Sequence, residues 1–411
     1  MVNKTAKKKG KAVKSTARKS KRSGRSKKRA SASLQGDYSA RIKVVGVGGG
    51  GGNVISRMRD RIGIRGIDYI AVNTDAQDLE YCNARQKICI GKNLTRGLGA
   101  GMNPEVGRQA AEENRSEIVE ALRGADLVFI AAGYGGGTGS SASPIVAEAA
   151  KEVGALTVAI VTKPFTFEGV QRMKIAEEWL GQLKGKVDSL IVIPNDRIFN
   201  LIKKETPLLK AFEAIDDVLR EAVQGIAELI AMPGIINVDF SDVKGIMQDA
   251  GPSHIGVGFA SGNDRAINAI NQAINSPLLD ISIEGAKGVL LGFAGGRDLK
   301  MTEINEAAKV VAGSIDPSAR VVFGAYLDRK LKQGQIKITL LATGFDGQLF
   351  KEAESSTSLF NGSLYDTDSE DAPPPRSSSL GTSESHERQP SSAADDDQWE
   401  VPAFLRKRKK N

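Results

Sequence analysis

The sequence predicts an α/β fold: a parallel sheet covered by helices, then a long helix, then a smaller α+β region, with disordered segments at both ends. Three features carry this expectation. Short β-branched runs alternate with amphipathic helical stretches from Arg41 onward, the pattern of a parallel sheet covered on both faces. Two dense glycine clusters each stand between such a run and a helical stretch. Composition shifts abruptly near residue 38 and again after Phe345.

The first strands are read at "RIKVVGVG", "DYIAVN", "KICIG", "DLVFIAAG", "LTVAIVT" and "SLIVIPN", with amphipathic helices such as "NPEVGRQAAEENRSEIVEALRG" (residues 103–124) between them. In such sheets ligands gather at the C-terminal ends of the strands, where both glycine clusters sit. A long helical run at 207–231 is closed by "MPG". Further strands follow at "IGVGFAS", "KGVLLGFAG", "ARVVFGAYL" and "IKITLLATG", with helices between them. The divisions expected are a basic arm (1–37), a nucleotide-binding domain (38–206), a central helix (207–231) and a C-terminal α+β domain (232–345). A linker (346–397) and a terminal peptide (398–411) complete the chain.

The linker is Ser, Asp, Glu, Pro and Gly with almost no aliphatic residues, a composition that cannot build a core. Some 50 such residues reach about 40 Å root-mean-square. The chain then ends in "QWEVPAFLRKRKKN", an apolar and basic island of the kind a linker tethers for recognition.

Length and composition bound the remaining possibilities. With 411 residues the chain can hold two ordinary domains plus tails. Cys82 and Cys89, the two cysteines, give no disulfide framework and no Cys-x-x-Cys pair. No apolar run approaches the length of a membrane helix and no secretory leader is visible, so a soluble, cytoplasmic protein is expected. The net charge of +8 is misleading: residues 1–30 hold 14 Lys or Arg and no acid, which leaves the remainder at −6. That arm has no aromatic residue and no apolar face. It reads either as a solvated tail or as a contact for nucleic acid, anionic lipid or an acidic protein surface; an organelle transit peptide is a further reading.

The first cluster, "GVGGGGGN", satisfies G-x-G-x-x-G at Gly46, Gly48 and Gly51 and opens the stretch "NVISRMRDRI", so a dinucleotide-binding oxidoreductase has to be weighed. A P-loop is excluded, since neither cluster is followed by Lys-Ser or Lys-Thr. The second cluster, "GGGTG" from Gly135 to Gly139, is again at a strand end and before a helix. Two loops of bare N–H groups, each backed by a helix N-terminus, suit a polyphosphate held from two sides.

"GGGTGS" resembles the signature of the tubulin/FtsZ GTPase family, and "AVNTDAQDL", "GLGAGMNPEVGR", "VTKPFTFEG", "AVQGIAELI" and "NVDFSDV" resemble segments of the bacterial cell-division branch of that family, FtsZ, in order. "VPAFLRK" resembles its C-terminal peptide; the arm and linker are not covered. The resemblance implies a Rossmann-like parallel-sheet GTPase domain joined by the long central helix to the smaller α+β domain, with GTP or GDP in the first. Gly49, Gly50, Gly51, Gly52 and Asn53 would contact the phosphates. Gly136, Gly137, Thr138 and Gly139 would form the second phosphate loop, with the Thr138 hydroxyl. Glu168 would take the ribose, Arg172 the phosphate side, and Asn195, Phe212 and Asp216 the guanine, whose N1–H and N2–H a carboxylate can accept together. Phe212 and Asp216 are four apart on the long helix and share a face. Taken alone, Phe212 reads as core and Glu168 or Asp216 as surface acids.

No general base stands beside the glycine loops in the sequence. By the same resemblance Asn237, Asp239 and Asp242 would lie on a loop that enters the GTP site of the neighbouring subunit, making hydrolysis depend on head-to-tail assembly; read locally, Asp242 fits an acid capping a helix start. Mg2+ would be held mainly by nucleotide and water. Trp399, Pro402, Phe404, Leu405 and Arg406 would bind membrane adaptors such as FtsA, placing the protein beneath the membrane at the division septum. A tubulin-like filament that segregates DNA through the Lys-rich arm is the other function within the same fold. Where the family has glycine after "GGGTG" and one hydroxyl residue, this chain has Ser141, expected to begin a right-handed helix that does not need glycine.

Overall fold

A computed structural model describes residues 40–61, 66–200, 202–203, 205–276 and 282–345. The expected arm, linker and terminal peptide lie outside the described residues.

The first half is built on β1 (Ile42–Val47), β2 (Ile67–Asn73), β3 (Gln86–Cys89), β4 (Leu127–Gly133), β5 (Leu156–Lys163) and β6 (Ser189–Pro194). They run in the order β3-β2-β1-β4-β5-β6, each neighbouring pair parallel. The helices are α1 (Gly48–Arg61), α2 (Ala76–Tyr81), α3 (Lys92–Thr95), α4 (Pro104–Glu113), α5 (Arg115–Leu122), α6 (Gly137–Glu152) and α7 (Val170–Lys184). Successive strand residues face opposite ways. Val44, Phe129, Val158 and Ile191 therefore feed one core, and Val45, Val128, Ile130 and Ala159 the other. Burial of both faces is why the inner strands β4 (LVFIAAG) and β5 (LTVAIVTK) are nearly continuous apolar runs rather than alternating.

α8 (Leu208–Ala231) follows. Its Leu219, Ala222, Val223 and Ile226 share a core with Val44 and Phe129 and also with Leu290 and Leu341 from the second half, so one helix serves both. That half contains β7 (Gly234–Ile236), α9 (Phe240–Met247), β8 (Gly251–Ser261), α10 (Arg265–Ile274), β9 (Gly288–Gly295), α11 (Met301–Ala312), β10 (Arg320–Leu327) and β11 (Gln335–Thr343). Its strands lie in the order β8-β11-β9-β10-β7. β11 is antiparallel to β8 and β9, while β9 and β10 are parallel. A third core, including Ile270, Phe293 and Ile338, fills the α10/α11 side. Glu228 of α8 is fastened to the second half by the Tyr326 hydroxyl (2.8 Å) and the Lys337 ammonium, all three groups buried. β6 and β8 meet at Ser189–Gly251 and Leu190–Pro252 alone, a seam that joins the halves into one eleven-stranded sheet.

Three local expectations are corrected. The helical stretch 103–124 is two helices, because Asn114 (φ −105°, ψ 18°) leaves the helical path. Its amide accepts from the Gly91 N–H and donates to Glu117 instead, the local competition with backbone typical of asparagine. α1 starts at Gly48, inside the glycine cluster rather than after it. The cap of α9 is Asp239, whose carboxylate accepts from the Ser241 N–H, while Asp242 stands further into the helix. The short α2, α3 and β7 have no counterpart in the sequence reading.

Candidate functional site

The site grows from the C-terminal ends of β1 and β4, adjacent strands from which the chain departs toward opposite edges of the sheet; such a point opens a crevice by topology alone. The turn after β1 is left-handed at Gly48 (φ 70°), and a Cβ there would lie 3.0 Å from the Gly139 nitrogen. The two glycine loops therefore touch, which only glycine permits. α1 and α6 both start at this contact, and neither has an acid in its first turn. Their positive dipole ends suit an anion, although the Gly137 N–H already donates to the Gly101 carbonyl (2.8 Å) and the Asp78 carboxylate stands beside Gly49. Ser141 lies within α6, its hydroxyl donating to the Gly137 carbonyl at 2.8 Å.

A cleft of about 670 Å³ spreads from these loops to α8. Of the predicted residues, Gly49, Gly50, Asn53, Gly136, Gly137, Thr138, Gly139, Glu168, Arg172, Asn195, Phe212 and Asp216 line it. Gly51 and Gly52 do not. Gly51 is packed beneath the loop, where a Cβ would come within 2.4 Å of the Ala131 carbonyl oxygen, and Gly52 faces a separate crevice beside Cys82. Thr138 meets the Thr74 hydroxyl at 2.6 Å. Glu168 accepts from the Phe165 N–H (2.9 Å) and from Arg172 one helical turn on (2.6 Å), so this acid and this base are mutually oriented before any ligand arrives.

At the far end Phe212, 42 % exposed, presents a ring to the cleft and sets its edge on buried Phe165 (5.8 Å between centroids). Asp216, one turn along α8, takes a 3.0 Å contact from Arg57 of α1. Burial pushes its carboxyl up to about 6, against the opposing pull of Arg57. Asn195 offers a buried Oδ1 that no group among the described residues hydrogen-bonds, an expensive state unless a ligand donor meets it. A Cβ on Gly136 would meet nothing within 4 Å. An orphaned acceptor, an open ring face and a bare backbone fit a base at one end and phosphates at the other. Among the described residues no group of three or more His, Cys, Asp or Glu could hold a metal ion.

Asn237, Asp239 and Asp242 do not line the cleft. The Asn237 amide accepts from the Gly234 N–H (2.7 Å), Asp239 caps α9, and Asp242 pairs with Arg320 (2.6 Å) at the surface of the second half. Sequence reasoning missed Arg57, although it follows Asn53 by one turn on the same face of α1, and it missed Tyr134, Thr162 and Ile215, whose apolar or β-branched character reads as core.

Residues 41–203 match the Tubulin/FtsZ family, GTPase domain, and residues 251–346 match the FtsZ family, C-terminal domain. The fold is also similar to an empty FtsZ dimer from M. jannaschii, at 47% identity and TM-score 0.72, covering 75% of this chain and 89% of that one. The chain belongs to the tubulin/FtsZ family. A mutant FtsZ from M. jannaschii is similar at 46% identity and TM-score 0.71 over 75% of this chain and 92% of that one. A GTPγS-bound CetZ2 protofilament from Haloferax volcanii shares the fold alone, at 22% identity and TM-score 0.65, over 78% and 99%. As a tubulin/FtsZ protein the chain is a cytoskeletal GTPase that binds guanine nucleotide, which removes the dinucleotide-dependent oxidoreductase from consideration. No helix among the described residues is long and apolar enough to cross a membrane.

Proposed function

We propose that this GTPase assembles head to tail into the filament of the cell-division ring, and that GTP held in one subunit is hydrolysed when the next subunit supplies Asn237, Asp239 and Asp242. The reading rests on one observation: the two carboxylates that line the cleft, Glu168 and Asp216, are each engaged by an arginine. The acids near α9 stand on the other half of the molecule.

In this reading Asn195, Phe212 and Asp216 select guanine, Glu168 holds the ribose, and Arg172 and the two loops with Thr138 hold the phosphates. Mg2+, held mainly by nucleotide and water, would neutralise phosphate charge. The incoming Asp239 and Asp242 orient the attacking water and accept its proton, while the backbone N–H groups of the loops stabilise charge on the transferred phosphoryl group. A contact between unlike ends does not close on itself and gives filaments. The domain division at 37, 206, 231, 345 and 397 belongs to the same reading, as do adaptor binding through residues 398–411 and a cytoplasmic place at the division site.

GTP turnover per subunit, followed as protein is diluted, tests this. It should rise from near zero above a critical concentration, and Asp242→Ala should still pellet as filaments with GTP while turning over at least tenfold more slowly. Turnover that is constant at every dilution overturns the shared site.

A further inference from the structure

We infer that Arg57 is a positioning residue for guanine recognition: from α1 it fixes the Asp216 carboxylate on α8 in the ionised, correctly aimed form that the base requires. The inference rests on the proposed role of Asp216 as the acceptor for guanine.

The geometry leaves little else for this contact to do. The Arg57 Nε lies 3.0 Å from Asp216 Oδ2, with side chains 25 % and 16 % exposed, so the pair is sheltered from the screening that makes surface ion pairs weak. Both residues line the cleft. A carboxylate has about four acceptor positions. Arg57 occupies one on Oδ2, which leaves acceptor positions on the carboxylate for the N1–H and N2–H of guanine side by side. The Nε contact fixes the plane of the carboxylate, which a freely rotating aspartate would have to give up on binding.

The surroundings of Asp216 make the arginine necessary. Burial opposes ionisation, and Asp217 and Glu213 on the same helix add like charge. Arg57 supplies the opposing pull, both through space and through its hydrogen bond. Across the cleft the charged groups are Glu168 and Arg172, already paired with each other. Without Arg57 the carboxyl would hold its proton to higher pH, and a protonated acid offers guanine a donor where it needs an acceptor.

The register also ties the two ends of the cleft together. Arg57 follows Asn53 by one turn on α1, and α1 begins as the first glycine loop. A base bound at Asp216 thus rests, through one side chain, on the helix whose N-terminus faces the phosphates.

The test is the pH dependence of GTP affinity, measured on the full chain by titration with a fluorescent GTP analogue below the assembly concentration. In the unaltered protein affinity should fall as pH drops through about 6, as Asp216 takes up its proton. In Arg57→Gln that fall should move upward by about one to three pH units, leaving affinity at high pH much closer to normal, and Arg57→Lys should restore most of the original profile. An Arg57→Gln profile superimposable on the unaltered one overturns the inference, as does a uniform loss at every pH, which marks a structural role alone. Asp216→Asn separates this from the reading beneath it: if that variant binds GTP normally at all pH values, Asp216 is not the guanine acceptor; if it loses binding while Arg57→Gln keeps its profile, only the role of Arg57 fails.

Discussion

Asp216 shows how a residue that lines the cleft can be costly to the fold. Its carboxyl ionises near 3.8 in the open chain and near 6 in the folded one. Between those values the folded state holds a proton that the unfolded state has lost, so stability falls as pH rises through the window and the deficit persists above it. At 1.36 kcal/mol per unit the deficit is on the order of 3 kcal/mol at neutral pH. Asp216→Asn should therefore raise the thermal midpoint of the nucleotide-free protein at pH 7 by several degrees, with the gain vanishing near pH 4, as differential scanning fluorimetry would read. The same change should turn preference from GTP toward xanthosine triphosphate, since an amide donates where xanthine accepts. Residues of this kind are poorly legible in sequence. Asp216 looks like any surface acid until the resemblance places it, and Arg57 looks like any solvated cation on an amphipathic helix.

The glycine clusters were the most legible elements, yet their members divide into two kinds that sequence alone does not separate. Gly51 supports the loop: a Cβ would collide with the Ala131 carbonyl at 2.4 Å. Gly136 has an ordinary backbone (φ −104°, ψ 177°) and open space before it. Gly136→Ala should fold with an unchanged circular dichroism spectrum and melting midpoint but bind GTP about tenfold more weakly, the order of one lost hydrogen bond to a charged group. Gly51→Ala should fail to accumulate as folded protein. If the two variants behave alike in stability, the division is wrong. The strands were readable because two-sided burial forces long β-branched runs, whereas the break at Asn114 was not, because it depends on a hydrogen bond from Gly91, which is 23 residues away.

At the scale of the whole molecule, alternating elements and ordered motifs foretold the α/β halves and the helix between them. What they could not foretell is how little backbone joins the halves: strand pairing across the seam is a property of two distant segments, carried by neither. The arm poses a separate question. Deleting residues 1–33 and measuring retention of duplex DNA between 50 and 200 mM salt should abolish any steeply salt-dependent binding, the signature of counterions released when lysines neutralise phosphates; retention that is weak and flat in the full chain would assign the arm to solubility instead. The seam itself bears on the order in which the molecule comes into being. Every residue lining the nucleotide cleft precedes Val223, whereas β8, which closes the seam against β6, does not begin until Gly251. In a chain still being translated every cleft-lining residue thus emerges before Asp239 and Asp242 do, so under the proposed mechanism the parts that would hold GTP are made before those that would act on a neighbour's.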